Sequence, residues 1–98
     1  MIYTYGLHPV AQQEYLESVK WYLDRSVPAA QKFILAIEKA IESICVNPKM
    51  FKSSYLHYHE FTLHKFPFTI IYAFDEPAQT IVIIAIYHQK RVPENKYR

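Results

Sequence analysis

Near the end of the chain stand His88, Lys90 and Arg91, followed by Lys96, Tyr97 and Arg98, and earlier come His64 and Lys65. Lysine and arginine bind phosphate, a tyrosine ring stacks on a base, and histidine moves protons near neutral pH. Metal-free RNA cleavage asks for such groups: a base for the ribose 2′-hydroxyl, cations for the charge developing at phosphorus, and an acid for the leaving oxygen. The plainer reading, which these residues alone favour, is a solvated basic tail.

Other chemistries find less support. A single glycine, Gly6, leaves no material for a phosphate-cradling loop, a dinucleotide fingerprint or a nucleophile elbow, each of which needs glycine for positive φ or close backbone approach. Nucleotide-dependent chemistry is therefore not expected. Glu14, Glu17, Glu38 and Glu42 alternate with lysines at the spacing of a solvated helix face, so no acid/base pair is read there. His57-x-His59 in an extended segment would place both rings on one side, with His64 and His88 on neighbouring strands. No cysteine or carboxylate stands at ligand spacing, so metal is not expected and no cofactor is implied. Cys45 is the one cysteine, which precludes an internal disulfide; it reads as a core residue beside Ile44 in a reducing compartment.

These side chains need elements to hold them. The run Thr80 to Tyr87 (TIVIIAIY) is too short to span a membrane and reads as a strand buried on both faces, leading without a break into His88. Phe68 to Asp75 and Glu60 to Lys65 precede it, joined by turns carrying Pro67 and Pro77, which gives a three-stranded antiparallel meander. Upstream, Ile2 to Tyr5 reads as a short strand, with Gly6 and Pro9 bracketing a turn. Val10 to Asp24 is an amphipathic helix on Ala11, Tyr15, Val19 and Tyr22. Ser26 or Val27 caps a second helix striped with Ala30, Phe33, Ile34, Ile37, Ile41 and Ile44, which stops at Asn47-Pro48. The fold class is α+β in the order β-α-α-β-β-β, a helical hairpin on one face of a small, mainly antiparallel sheet, with residues 1–98 as a single domain.

Two helices cover one sheet face. The other, with Ile71, Ala73, Val82 and Ile84, should keep an exposed groove fit for a partner, unless the loop at 49–59 folds across it with Met50, Phe51, Tyr55 and Leu56. Net charge is +2, too small to advertise nucleic acid; residues 1–48 carry four basic against five acidic groups and residues 49–98 seven against four. No signal or membrane segment is read, so the expected location is the cytoplasm, with neither a membrane nor a small-molecule substrate as partner.

The helical hairpin, Asn47-Pro48, the segment Lys65-Phe66-Pro67-Phe68-Thr69-Ile70-Ile71-Tyr72 and the ending Ala85-Ile86-Tyr87-His88-Gln89-Lys90-Arg91-Val92-Pro93 together resemble the RelE/ParE superfamily of toxins from bacterial type II toxin-antitoxin systems. The likeness covers nearly the whole chain. It implies a small cytoplasmic toxin wrapped and neutralised by the C-terminal segment of a cognate antitoxin, for which Ile71, Ala73, Val82 and Ile84 are the candidate contacts. RelE-like members cut mRNA in the ribosomal A site, and in that case His88, Arg91 and Tyr97 would be catalytic. ParE-like members poison DNA gyrase, and under either mechanism His64, Lys65, Lys90, Lys96 and Arg98 would serve to bind the target or RNA. Thr69 stands where the ribonucleases commonly carry arginine, and the His-Gln-Lys-Arg-x-Pro ending is nearer the ParE-like pattern, so a ParE-like inhibitor of gyrase is the expectation. The alternatives are a ribosome-dependent endoribonuclease and an inert homologue that only binds its antitoxin.

Overall fold

The computed structural model describes residues 2–91, 93, 96 and 97. In chain order it builds β1 (Thr4–Leu7), α1 (Pro9–Leu23), α2 (Val27–Val46), β2 (Lys52–Ser53), β3 (His59–Thr62), β4 (Phe68–Asp75) and β5 (Thr80–His88). The strands form one sheet in the order β1-β5-β4-β3-β2. The meander is antiparallel, as expected, and β1 joins it parallel to β5, pairing Thr4 with Thr80 through Leu7 with Ile83.

The two helices start where local chemistry lets them. Pro9 opens α1, and the preceding His8 takes the N-cap, its Nδ1 accepting from the Val10 N–H at 3.1 Å. At α2 the Ser26 hydroxyl accepts from the Ala29 N–H at 3.3 Å, and Pro28 lies in the first turn. The short link Asp24-Arg25-Ser26 folds the helices into the expected hairpin. Gly6, expected in a turn, is part of β1, and the expected loop at 49–59 contains the two-residue edge strand β2.

Alternation along β4 sends Phe68, Ile70, Tyr72 and Phe74 toward the helices, where they meet Phe33, Ile37 and Ile44 of α2. Phe33 is the hub, its ring 4.8 Å from Phe68 and 4.9 Å from Tyr22. The opposite sheet face carries a second, smaller cluster of Ile71, Ile84, Ala85 and Tyr87. A register shift at Ile71/Tyr72 leaves Ile84 as an extra residue on β5, so that Ile81 and Ile83 before it and Ile86 after it all face the helices.

The groove expected on the second face is largely filled. Ile71 is fully buried and Ile84 nearly so, with Tyr58 and Tyr97 packed against them; Ala73 is half-buried and Val82 remains 47% exposed. The loop at 49–59 supplies part of this cover through Tyr58, and Tyr97 supplies the rest. Of the loop residues named, Phe51 packs on the helix side, Met50 and Leu56 stay exposed, and Tyr55 touches Tyr97 with ring centroids 5.0 Å apart. No helix among the described residues is long and apolar enough to cross a membrane.

Candidate functional site

Beyond Ile83, β5 is paired with β4 on one side but has no strand on the other, because β1 ends at Leu7 and the His8 N–H closes the ladder on the Ile83 carbonyl at 2.8 Å. Helix α1 takes over. Its Glu14 carboxylate accepts the Ile86 N–H at 3.0 Å, tying the helix to the end of β5. This contact contradicts the reading of Glu14 as part of a purely solvated face: the edge of β5 offers backbone donors, and a carboxylate one turn from Ala11 reaches one of them.

Past this tie a cleft of about 420 Å³ opens between α1 and the ends of β4 and β5. Helix α1 contributes Glu14, Glu17 and Ser18 to its lining, and the end of β5 with the turn after it contributes His88, Lys90 and Arg91. Ring contacts run beneath the cleft, Trp21 to Tyr22 at 5.1 Å, Tyr22 to the buried Phe68 at 6.5 Å, and Phe68 to His88 at 5.3 Å, edge-on or tilted. Burial pushes the Tyr22 hydroxyl above its ordinary pKa and keeps it a neutral donor. After β5 the chain turns tightly, the Arg91 N–H donating to the His88 carbonyl at 2.8 Å and the Lys90 N–H to His88 Nδ1 at 3.0 Å. With Nδ1 accepting, the imidazole in its neutral form carries its proton on Nε2.

The residues singled out in the sequence separate into three groups. His88, Lys90 and Arg91 meet at the cleft. Lys96 and Tyr97 lie on the far face of the sheet: the Tyr97 hydroxyl donates to Glu60 at 2.9 Å, its ring is 5.4 Å from that of Tyr58, and the Lys96 ammonium sits over the Tyr87 and Tyr97 rings. Around Lys96 partial burial opposes the charge, but Tyr87, Tyr97 and Glu60 outweigh it and raise the pKa. His64 and Lys65 belong to the turn between β3 and β4 and line a shallow groove against α2 with Ala36, Lys39 and Ser43. Arg98 lies outside the described residues. The catalytic trio expected of a ribonuclease is thus not assembled, since Tyr97 is on one face and His88 with Arg91 on the other.

The expected histidine neighbours also part. His59 stacks on Tyr72 at 5.6 Å and its Nδ1 lies 3.0 Å from the Phe51 carbonyl, while His57 is exposed against Tyr58. His64 falls in a turn, and β3 and β5 flank β4 without touching. Cys45 is buried, as expected, and burial raises its thiol pKa. Glu14, Glu17 and Trp21 are the cleft residues that sequence reasoning missed. The available signal was an exposed-type tryptophan on the helix face that also carries two glutamates.

A helical hairpin over one face of a five-stranded sheet, with a cleft and a cationic turn where the last strand ends, makes a small α+β fold. The family described as "ParE toxin of type II toxin-antitoxin system, parDE" matches residues 5–93, and the chain belongs to that family. Among solved structures it is similar to a chromosomal ParDE toxin-antitoxin system from P. aeruginosa, with 16% identity, 89% of this chain and 96% of that one covered, and a TM-score of 0.73. It is similar also to a free-state mutant of the E. coli toxin RelE, with 10% identity, 99% and 92% covered and a TM-score of 0.68. A RelBE complex from Mycobacterium tuberculosis follows, with 15% identity, 90% and 99% covered and a TM-score of 0.60. No curated protein matches the sequence.

Proposed function

We propose that this ParE-family toxin is neutralised by a cognate antitoxin and acts by inhibiting DNA gyrase rather than by cutting mRNA. The observation that carries the second half is the separation of Tyr97 from His88 and Arg91 by the thickness of the sheet. General acid/base cleavage needs its groups within hydrogen-bonding reach of one phosphodiester. Thr69, at the position where the family's ribonucleases commonly carry arginine, is only 4% exposed and faces the same side as Tyr87, so it supplies no cation. On this reading His88, Lys90 and Arg91 form part of a surface that meets the target, with His64 and Lys65 at the same end of the sheet.

The antitoxin half rests on the family and on the neighbours, several of which are named as toxin-antitoxin pairs. Ile71, Ala73, Val82 and Ile84 share the far face and remain its proposed contacts, Val82 being directly accessible and Ile71 and Ile84 lying beneath Tyr58 and Tyr97.

Inducing the protein in a bacterial host and following two early readouts tests the target. Gyrase-dependent DNA breaks with translation intact are expected, and deleting the chain beyond His88 should abolish them. Early translation arrest with mRNA cut in the ribosomal A site would replace this reading with a ribonuclease. Growth at the uninduced rate would leave an antitoxin-binding module.

A further inference from the structure

The cleft between α1 and the end of β5 has three chemically distinct parts, and toxin action on gyrase accounts for only the cationic one. We infer that it is a binding site for a nucleotide whose base carries an exocyclic amine. Each part of the cleft has a counterpart in such a ligand. Trp21, 43% exposed at the cleft, offers the ring on which a planar base stacks, with Tyr22 edge-on beside it and Phe68 buried beneath. Arg25 holds the indole in place, its guanidinium 3.7 Å from the ring centroid and its Nη1 donating to the Trp21 carbonyl at 2.9 Å. The acidic wall accepts hydrogen bonds from an amine: Glu14 is already engaged by the Ile86 N–H, and Glu17 takes the Gln13 amide at 3.0 Å with acceptor capacity to spare. Lys90 and Arg91, which line the same cleft, supply the charge a phosphate requires.

The mixed walls argue against the simpler occupants. A bare anion gains nothing from the rings and is repelled by two carboxylates, and an apolar group leaves both charged walls unused. The volume, about 420 Å³, lies within the range of small-ligand clefts. The absence of a glycine-rich loop is no obstacle, because the phosphate would be held by side-chain cations and not by backbone amides. The inference concerns binding and does not rest on gyrase being the target. Its ligand chemistry has two sources, a free nucleotide or one nucleotide of a single strand.

Trp21 is the sole tryptophan of the chain, so its fluorescence reports the site directly. Titrating the purified full-length protein with adenosine monophosphate should quench that emission and saturate between about 10 μM and 1 mM. Uridine monophosphate, which lacks the amine, should bind several-fold more weakly, and inorganic phosphate should not quench. Arg91→Gln with Lys90→Gln should weaken adenosine monophosphate by about tenfold or more, and Glu17→Ala should erase the preference over uridine monophosphate. These are surface positions, and unchanged far-UV circular dichroism verifies the fold. A short oligodeoxyadenylate binding no tighter per site than the mononucleotide assigns a free nucleotide; one binding tenfold tighter, with the same loss in the cation variant, assigns a strand. No saturable quenching, or quenching indifferent to both variants, overturns the proposal.

Discussion

Tyr72 is fully buried in the middle of β4, and its hydroxyl donates to the Pro48 carbonyl at 2.6 Å. The contact anchors the segment after α2 to the sheet. It also gives a residue bridging two elements the task of keeping a proline carbonyl satisfied where water does not reach. Tyr72→Phe should cost about 1–3 kcal/mol, because it strands that carbonyl while leaving the ring's packing intact; urea denaturation measures it. Burial raises the Tyr72 pKa far above the tyrosine norm, and a raised folded pKa means that the folded state holds its proton where the unfolded state has lost it. The stabilisation is therefore complete below the unfolded value of about 10 and is lost as pH climbs above it. Melting temperature should be flat on approach to that pH and fall beyond it. Tyr72→Phe should flatten the fall in part, since burial raises Tyr15 and Tyr22 as well.

Between elements, the Glu14 carboxylate does the work a neighbouring strand would do for β5. Glu14→Ala should lower stability by about 1.5–3 kcal/mol, the range for a hydrogen bond to a charged group, and Glu14→Gln by less because its amide oxygen still accepts. Hydrogen exchange at the Ile86 amide should accelerate more than at Ile70 on β4; equal protection in Glu14→Ala would remove the tie from the account. At the start of α2, Ser26→Ala should cost about 1 kcal/mol through the lost cap. How far these elements were legible follows from where their information lies. The helices and the inward face of β4 were readable because their apolar periods are local. The place of β1 was not, because a parallel pair with a strand at the other end of the chain leaves no nearby signature. The bulge at Ile84 was hidden for another reason: in TIVIIAIY both faces are apolar, so a one-residue slip breaks no pattern. Glu14 looked like its neighbours because spacing alone does not tell a carboxylate facing water from one facing a strand edge.

At the scale of the whole molecule, the sheet is a partition. Its helix side ends in the cleft with His88 and Arg91, and its other side carries Tyr97 over Ile71, Ile84 and Ala85 beside Tyr55 and Tyr58. Groups on opposite sides of a packed layer cannot share one reacting phosphate, so they should not behave as a functional unit. Residues of a catalytic unit are strongly non-additive, the first loss removing most of the effect, whereas separated residues add to within about 0.5 kcal/mol. The partition therefore predicts the outcome of a double-mutant cycle. His88→Ala should weaken target inhibition with little change in stability, because the ring is half-buried at the cleft rim. Tyr97→Ala should mainly destabilise, by about 1–2 kcal/mol, through the lost Glu60 hydrogen bond and ring packing. Measured with purified target at matched folded fraction, Tyr97→Ala alone should leave the inhibition midpoint unchanged, and the double variant should match His88→Ala. A Tyr97→Ala loss of inhibition as large as that of His88→Ala, with the double variant no weaker than either, would place the two residues in one active constellation and return the ribonuclease mechanism to the front.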